Sequence, residues 1–326
     1  MCKQIPGICL QTVVYFGSMC SMNNADPKNS DFTILLYYHY VPIENPEEFR
    51  DEHRALCERL GITGRILIAS EGINGTCEGA REAMQEYMDI MHADPRFADM
   101  MFKTSAGTGS SFPKLKIKVR PEIITTRWGV GMDVDAERAE YLEPEELHAW
   151  YRENRDDFVV VDTRNDYEVA GGYFEKTVHL NTPTFRDLDD KLGSLAYLKD
   201  SGKKIVAVCN GNVRCEKASA LLVKRGFPNV YHLHHGIHTY MQKYPGQDFK
   251  GTLYVFDDRK TMQFVEPEDR DVVGVCRCCG ESSERYENCS LLSCNRNFIV
   301  CDSCAESGVY CDTRCEQEHQ HQTVLV

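Results

Sequence analysis

Nine of the sixteen cysteines lie between Cys276 and Cys315, and the other seven all lie before residue 216. A secreted disulfide scaffold is short and carries its cysteines throughout. A cysteine-dense tail on an otherwise ordinary chain instead favours reduced thiols that bind a metal or take part in catalysis. We therefore expect a cytoplasmic protein.

Eight of the tail cysteines form four pairs with the short spacing of metal ligands. The pairs are Cys276 and Cys279, Cys289 and Cys294, Cys301 and Cys304, and Cys311 and Cys315. Eight thiolates are enough for two tetrahedral zinc sites, and the spacing leaves open which pairs share a metal. A tail of about 50 residues has little core, so structural zinc is expected to supply much of its folding free energy. Iron–sulfur ligation and disulfides are the alternatives.

The rest of the composition is that of a globular chain with two or three domains. With 326 residues, 42% of them hydrophobic and 27% charged, the chain is close to the average for folded proteins. No segment approaches the roughly 18 apolar residues of a membrane-spanning helix, so no membrane contact is expected. The net charge of −13 confines any nucleic-acid contact to a local basic patch. Residues 1–31 lack a clear signal-peptide pattern and are expected to be a disordered extension.

Residues 32–125 are predicted to form a ferredoxin-like α+β domain. Apolar runs indicate strands at residues 32–41, 65–69, 98–103 and 115–120, and helices at 46–60 and 80–92. Asn45 and Pro46 mark the start of the first helix, because an asparagine N-cap and a proline in the first turn are both favoured there. The order of strands and helices fits this fold.

Strands alternate with helices in residues 143–246, which predicts a doubly wound α/β domain with a parallel sheet. Unbroken apolar runs suit strands that are buried on both faces of such a sheet. They occur at residues 158–162 and 204–209, and a third strand is expected at residues 230–233. Helices are expected at residues 143–154, 217–225 and 236–244. An acidic connector then leads to the cysteine-rich tail at residues 272–326.

The strongest chemical signal is a cysteine loop between an apolar strand and a helix. It consists of Cys209, Asn210, Gly211, Asn212, Val213, Arg214 and Cys215. In open α/β sheets ligands bind beyond the carboxyl ends of the strands, where backbone N–H groups and a helix N-terminus lower the pKa of a thiol. Arg214 can add positive charge or brace the loop, and Cys215 is either a resolving partner for Cys209 or an ordinary helix residue. A buried structural Cys209 is the plain alternative.

This loop resembles the active-site loop of rhodanese sulfurtransferase domains, in which a cysteine carries a persulfide within a ring of N–H groups. Asp162 and Arg164, at the end of the first apolar strand, add to the resemblance and are expected to support the loop. The related protein phosphatases have one more residue between cysteine and arginine. The shorter loop between Cys209 and Arg214 suits a sulfane sulfur better than a phosphate.

Further motifs in the N-terminal half make the resemblance more specific. They are Gly64-Arg65-Ile66, Glu71-Gly72-Ile73-Asn74-Gly75 and Phe112-Pro113-Lys114-Leu115-Lys116. Together with the Cys209 loop, they resemble the rhodanese-domain tRNA uridine hydroxylase family over residues 32–315. The resemblance implies a tRNA-modifying oxidoreductase that converts wobble uridine 34 to 5-hydroxyuridine, with molecular oxygen and an unidentified electron donor. The chain departs from the family's usual residues at Asn210, Asn212, Val213 and His235.

The segment Glu71 to Gly75 follows a predicted strand and contains Asn74-Gly75, which is a turn signal. One interpretation is a turn with no other role. The other is a loop that shapes a substrate cleft through the polar side chains of Glu71 and Asn74. Both fit the sequence.

Four basic residues form a stripe inside this acidic chain. They alternate with apolar residues, so their side chains should lie on one side of a strand: Lys114, Lys116, Lys118 and Arg120. Such a stripe suits the phosphates of tRNA, although charged edge strands also prevent aggregation. Given the family resemblance, we expect these four residues to bind RNA.

Two other functions would use the same residues differently. A general sulfurtransferase would carry a persulfide on Cys209, but it would need neither the N-terminal domain nor the basic stripe. A non-catalytic adaptor would use the zinc tail for protein contacts. The sequence identifies no protein partner.

Overall fold

The computed structural model describes residues 30–128, 132–306 and 308–324. Two five-stranded sheets and three two-stranded sheets organise these residues. The extension predicted for residues 1–31 lies outside the described residues, except for Ser30 and Asp31. Among the described residues, no helix combines the length and the apolar character needed to cross a membrane.

The first sheet belongs to a ferredoxin-like domain, as predicted. Its elements are β1 (Phe32–Tyr40), α1 (Pro46–Arg59), β2 (Thr63–Ala69), β3 (Gly72–Ala80), α2 (Arg81–Ala93), β4 (Lys103–Ala106) and β5 (Leu115–Val119). The strand order is β4-β1-β3-β2-β5, in which only β2 and β5 pair in parallel. The predicted N-cap Asn45 accepts a hydrogen bond from the backbone N–H of Glu48. Helices α1 and α2 cover one face of the sheet, and the other face meets the second domain.

Strand β3 was not predicted, since the sequence analysis described Glu71 to Gly75 as either a plain turn or a loop that shapes a cleft. Three glycines and Asn74 lower its strand propensity, yet it pairs with both β1 and β2. Gly75 is required there, because a Cβ atom would lie 2.5 Å from the ring of Tyr37. The strand predicted at residues 98–103 is also displaced, since β4 begins at Lys103 after a short 3-10 helix at Pro95–Phe97.

The second sheet is parallel and covered on both faces, as expected for a doubly wound domain. The elements of this domain are α3 (Val134–Glu137), β6 (Glu140–Leu142), α4 (Pro144–Arg152), β7 (Phe158–Asp162), α5 (Asp166–Val169), β8 (Gly172–Phe174), β9 (Thr177–Val178), α6 (Leu188–Lys191), β10 (Lys204–Val208), α7 (Val213–Lys224), β11 (Val230–Leu233) and α8 (Gly236–Lys243). The sheet order is β6-β11-β10-β7-β9. Phe158 and Val160 point into a core with α4 and α8, whereas Val159 and Val161 point into a core with α6 and α7.

Helix α7 begins at Val213, earlier than the start predicted at residue 217. The segment up to Glu216 was assigned to the cysteine loop, and the charged residues Arg214, Glu216 and Lys217 gave no sign of burial. In the structure all three are buried, and each pairs with a residue outside α7. As a result, Arg214 and Cys215 lie in the first turn of the helix.

After α8 the chain packs back against the second domain before it enters the tail. Here β12 (Phe249–Gly251) pairs with β8, β13 (Leu253–Tyr254) pairs with β14 (Thr261–Met262), and β15 (Tyr286–Asn288) pairs with β16 (Asn297–Ile299). Helices α9 (Asp302–Ala305) and α10 (Thr313–Val324) complete the tail. Cysteines are prominent in its buried cluster, so the tail has few apolar side chains with which to hold itself together.

Candidate active site

Cys209 follows β10 directly and is fully buried. Its loop turns into α7 at Asn212, whose φ is +83°, a left-handed conformation that asparagine tolerates better than most residues. The first turn of α8 holds the other side of the loop, where the backbone N–H of Ile237 donates to the carbonyl of Cys209 at 2.9 Å. The loop is therefore fixed by two helices.

The surroundings of Cys209 favour its thiolate. Burial alone would raise the pKa of this thiol, but the hydrogen bond from the Cys215 thiol, the positive charge of Arg214 and the backbone N–H groups of these two residues outweigh burial and lower the pKa to about 6. By contrast, burial raises the pKa of Cys57, in the core of the first domain, to about 12. Because the thiolate is the nucleophilic form, Cys209 is chemically distinct from a buried core cysteine such as Cys57.

Cys215 contributes to this environment from the first turn of α7. It is fully buried, and its sulfur lies 3.8 Å from the hydroxyl of Thr163. Burial and the neighbouring Cys209 raise the pKa of Cys215 well above its usual value. Cys215 therefore stays a thiol and donates to the Cys209 thiolate.

A buried carboxylate holds Arg214 in place. The Arg214 guanidinium donates two parallel hydrogen bonds to Glu168, from Nη1 to Oε2 at 2.7 Å and from Nη2 to Oε1 at 2.8 Å. This bidentate pair is the strong form of an ion pair, and it fixes α7 relative to α5. Arg214 thus has both of the roles that the sequence allowed, as a positive charge beside Cys209 and as a brace.

Asp162 and Arg164 form a second buried ion pair, at 2.7 Å. Arg164 also donates to the carbonyl of Gly172. Both side chains line a separate cavity of about 210 Å³, not the one that contains Cys209. They fix the end of β7, which leads into α5 and Glu168, so any support they give to the cysteine loop is indirect.

Cys209 lines a cavity of about 460 Å³ between the two five-stranded sheets, a size typical of small-molecule sites. The second domain contributes the cysteine loop and His238. The open face of the ferredoxin-like sheet contributes Tyr38, Arg65, Asn74 and Lys103, and the segment after β13 contributes Phe256, Asp257 and Arg259. Three parts of the chain therefore meet around one thiol.

Lys103 is a cavity residue that the sequence analysis did not single out. It lies at the start of β4, is only 8% exposed, and its Nζ donates to the carbonyl of Gly211 at 3.2 Å. Burial lowers the pKa of Lys103 to about 8, although the negative charge of Cys209 raises it in part. Nothing in the local sequence distinguishes this lysine from the exposed lysines of β5.

His238, in α8, is a second cavity residue that the sequence analysis missed. Burial, together with the charges of Lys103 and Arg259, lowers the pKa of His238 to about 3. Its imidazole is therefore neutral at pH 7. Its position just beyond the carboxyl end of β11 is a signal that could have identified it, because ligands bind at that edge of a parallel sheet.

The segment Glu71 to Gly75 both turns the chain and shapes the cavity. Glu71 accepts hydrogen bonds from the backbone N–H of Ile123 at 2.7 Å and from Lys217 at 2.9 Å. Lys217 is buried in α7 and also pairs with Glu122 at 3.0 Å. The turn is therefore tied to the second domain, while Asn74, the third residue of β3, lines the cavity.

The basic stripe lies on β5, at the edge of the ferredoxin-like sheet. Its side chains alternate as predicted, since Ile117 is buried and the four basic residues are exposed: Lys114, Lys116, Lys118 and Arg120. In the parallel pairing of β5 with β2, Lys116 lies opposite Arg65, which lines the cavity. The stripe and the cavity are consequently on the same face of the sheet.

The eight paired cysteines of the tail form two groups that could each hold a metal ion. Alternate pairs come together, and within each group the sulfur atoms lie within 4.8 Å of one another: Cys276, Cys279, Cys301 and Cys304 in one, and Cys289, Cys294, Cys311 and Cys315 in the other. All cysteines of the described residues are free, and exposed Cys278 belongs to neither group. The structure thus gives the pairing that the spacing left open.

Three domain families match the sequence. A UPF0176 acylphosphatase like domain matches residues 32–123, a rhodanese-like domain matches residues 143–243, and a rhodanase C-terminal domain matches residues 250–318. These ranges include every segment that lines the Cys209 cavity except the short stretch Ile124–Thr125.

Curated relatives extend over most of the chain. A tRNA uridine(34) hydroxylase from Cytophaga hutchinsonii is 42% identical over 276 residues, which are 85% of this chain and 86% of that protein. Proteins of the same name from Oceanobacillus iheyensis and Onion yellows phytoplasma are 41% and 39% identical, over 83% and 90% of this chain and 84% and 95% of their own. The resemblance inferred from the motifs is confirmed, and the chain belongs to the tRNA uridine(34) hydroxylase family.

Proposed function

We propose that this protein hydroxylates C5 of wobble uridine 34 in tRNA, with Cys209 as its reactive thiol. The observation that carries the proposal is a buried thiol of low pKa in a cavity whose wall continues into an exposed basic strand. The names of the relatives support the same activity, and the similarity covers both domains that form the cavity.

The proposed reaction replaces the C5–H bond of uracil with a C5–OH bond, which is a two-electron oxidation of the base. Molecular oxygen supplies the hydroxyl oxygen. Its second oxygen atom leaves as water after taking two electrons and two protons from a separate donor. The contribution of this chain is to bind the base and to present a nucleophile to it, because Arg214 and Cys215 keep Cys209 deprotonated.

The basic stripe on β5 is the proposed contact for the tRNA backbone. Its four exposed cations can bind phosphates, and Arg65 continues the row into the cavity. A base must leave its stack to reach a buried reactive group. The rings of Tyr38 and Phe256 line the cavity and offer faces on which an unstacked base can lie.

Zinc is the metal that we propose for the tail. Each group contains four thiols and no other ligand type, and thiolates favour zinc over the hard cations. Tetrahedral Zn–S bonds place sulfur atoms about 3.8 Å apart, which is compatible with groups whose sulfurs lie within 4.8 Å of one another. Four protein ligands leave no open position on the metal, so its proposed role is structural. Reduced thiols and a tRNA substrate both fit a cytoplasmic location.

The test is nucleoside mass spectrometry of tRNA incubated with the wild-type protein, with Cys209→Ala and with Cys215→Ala, in air and without oxygen. We expect 5-hydroxyuridine from the wild type in air only, none from Cys209→Ala, and a reduced yield from Cys215→Ala. Unchanged 5-hydroxyuridine in Cys209→Ala would remove the thiol from the reaction. Sulfur transfer from thiosulfate to cyanide, without any tRNA product, would instead favour a general sulfurtransferase.

A further inference from the structure

Lys103 differs from two other cations around the cavity in its partners. Arg214 pairs with Glu168 and Arg259 pairs with Asp257. Among the described residues, the ammonium of Lys103 forms no ion pair with a carboxylate, and its hydrogen bond goes to the carbonyl of Gly211. The ring of Tyr38 lies 5.7 Å from its Nζ.

An ammonium group carries three N–H donors, and buried charges are normally paired or fully hydrogen-bonded. Lys103 is only 8% exposed, yet among the described residues a single acceptor, the Gly211 carbonyl, takes one of its three donors. It lines the cavity together with Cys209. Two donors beside a reactive thiol are therefore available for a group that enters the cavity.

We propose that Lys103 is a catalytic residue that stabilises negative charge in the cavity, first on the Cys209 thiolate and then on O4 of the bound uracil. The role at O4 rests on the proposed function, because it requires a bound uracil base. It assigns to the N-terminal domain a direct role in the chemistry of the cysteine loop.

The choice of O4 follows from the electronic structure of uracil. The C4–O4 carbonyl is the one conjugated to the C5–C6 double bond. When the Cys209 thiolate adds, a sulfur–C6 bond forms, the C5–C6 π pair shifts to C4–C5, and the carbonyl π pair moves onto O4. No electron is lost in this step, and C5 becomes the electron-rich carbon that is to be oxidised. A fixed cation at O4 lowers the barrier to thiolate addition, because it is already in place where the negative charge develops.

The electrostatics of the cavity are consistent with this role. The pKa of Cys209 is lowered to about 6 and that of Lys103 to about 8, so thiolate and ammonium coexist between these pH values. Four titratable groups interact electrostatically with Lys103. They are Cys209 in the loop, Glu216 in α7, and His235 and His238 at the start of α8.

The test compares Lys103→Met with Lys116→Met in the full-length protein, and Lys103→Arg serves as the conservative variant. Three quantities are measured: the pH dependence of Cys209 alkylation by iodoacetamide, the rate of 5-hydroxyuridine formation at saturating tRNA, and the affinity for tRNA. The alkylated peptide is identified by mass spectrometry so that other cysteines do not contribute. Melting temperatures verify folding, and Lys103→Gln replaces Lys103→Met if that variant unfolds.

We expect Lys103→Met to raise the apparent pKa of Cys209 alkylation by about one unit and to slow hydroxylation by about 100-fold, with tRNA affinity close to that of the wild type. Lys103→Arg keeps the cation and should recover part of the rate. Lys116→Met should weaken tRNA binding and its salt dependence without altering the alkylation profile, because Lys116 is exposed on β5.

A Lys103→Met protein with the wild-type alkylation profile and the wild-type rate at saturating tRNA overturns the inference. A variant whose only defect is weaker tRNA binding also overturns it, since Lys103 would then be a phosphate contact. If the wild-type protein forms no 5-hydroxyuridine, the proposed function fails. The alkylation profile then decides alone whether Lys103 stabilises the thiolate.

Discussion

The Cys209 loop and the cysteine-rich tail use the same side chain in opposite ways. Cys209 lies in a cavity with hydrogen-bond donors and cations around it, so its thiolate stays available to react. The tail cysteines lie in fours, with their sulfur atoms within 4.8 Å of one another, so a bound metal would occupy them all. The neighbours of a thiol, rather than the thiol itself, therefore separate a reactive site from a structural one.

The two regions are nevertheless in contact. Tyr286, on the first strand of the tail, donates from its hydroxyl to the carbonyl of Tyr167 at 2.7 Å. Tyr167 precedes Glu168, the partner of Arg214. A Cβ on Gly171 would lie 2.4 Å from the Tyr286 hydroxyl, so the tail packs closely on the segment that holds the brace. The tail is thus placed to stabilise the cysteine loop through α5.

The largest effects should come from removing one thiol in each region. Cys209→Ser should abolish 5-hydroxyuridine formation and leave the metal content at two ions per chain, one for each group. Cys301→Ser should lower the metal content and destabilise the tail by about 4 kcal/mol or more, because metal binding is part of its folding free energy. Mass spectrometry measures the metal content, thermal unfolding measures the stability, and the tRNA assay measures 5-hydroxyuridine formation.

Cys57→Ser is the control for this pair, since Cys57 is buried but belongs to neither region. It should keep both metal and activity. Loss of metal in Cys209→Ser, or full metal content in Cys301→Ser, would contradict the division between the two regions.

The brace on Arg214 should be the next most sensitive feature. Glu168→Gln leaves a buried guanidinium without its counter-charge, which typically costs about 3 to 5 kcal/mol. We expect a marked fall in the melting temperature and a loss of activity. Asp156→Asn is the matched control, because its ion pair with Lys176 is at the surface, where such pairs contribute little to stability. Equal effects of the two variants would show that the Arg214 pair does not brace the loop.

The low pKa of Cys209 also predicts how stability depends on pH. The folded state lowers this pKa from 9.0 to about 6, so the folded protein holds the thiolate more tightly than the unfolded chain does. The resulting stability is present above pH 9 and is lost as the pH falls towards 6. The stability of the wild type relative to Cys209→Ser should therefore rise by up to about 4 kcal/mol between these pH values. Calorimetric melts at pH 6 and pH 9 measure this difference, and a flat difference would contradict a lowered pKa.

Local patterns in the sequence predicted much of this arrangement. The strands predicted at Phe158–Asp162 and Val230–Leu233 have their observed bounds, and the apolar run at 158–161 is what a strand buried on both faces requires. The Cys209 loop and the paired tail cysteines were also identifiable, since their chemistry depends on residues that are close in sequence.

Long-range features were not predictable in the same way. Strand β3 was missed because its glycines reflect close packing, such as that of Gly75 against Tyr37, and not a turn. The partnership of Lys103 with Gly211 spans 108 residues, and the alternate pairing of the tail cysteines depends on how β15 and β16 fold together. Each of these depends on tertiary contacts that no local spacing encodes.

The smallest predicted effect tests whether the two cysteine regions are coupled. Tyr286→Phe removes the hydrogen bond to the Tyr167 carbonyl and keeps the ring that packs against Tyr254. Because one such bond contributes about 1 kcal/mol, we expect a small loss of stability, an unchanged metal content and a modest fall in hydroxylation rate. Tyr310→Phe is the control, since Tyr310 lies in the tail cluster itself and away from α5. If Tyr286→Phe has the stability and the hydroxylation rate of the wild type, the tail supports only its own fold. If the rate falls without loss of metal, the tail also holds Glu168 and Arg214 in position beside the reactive thiol.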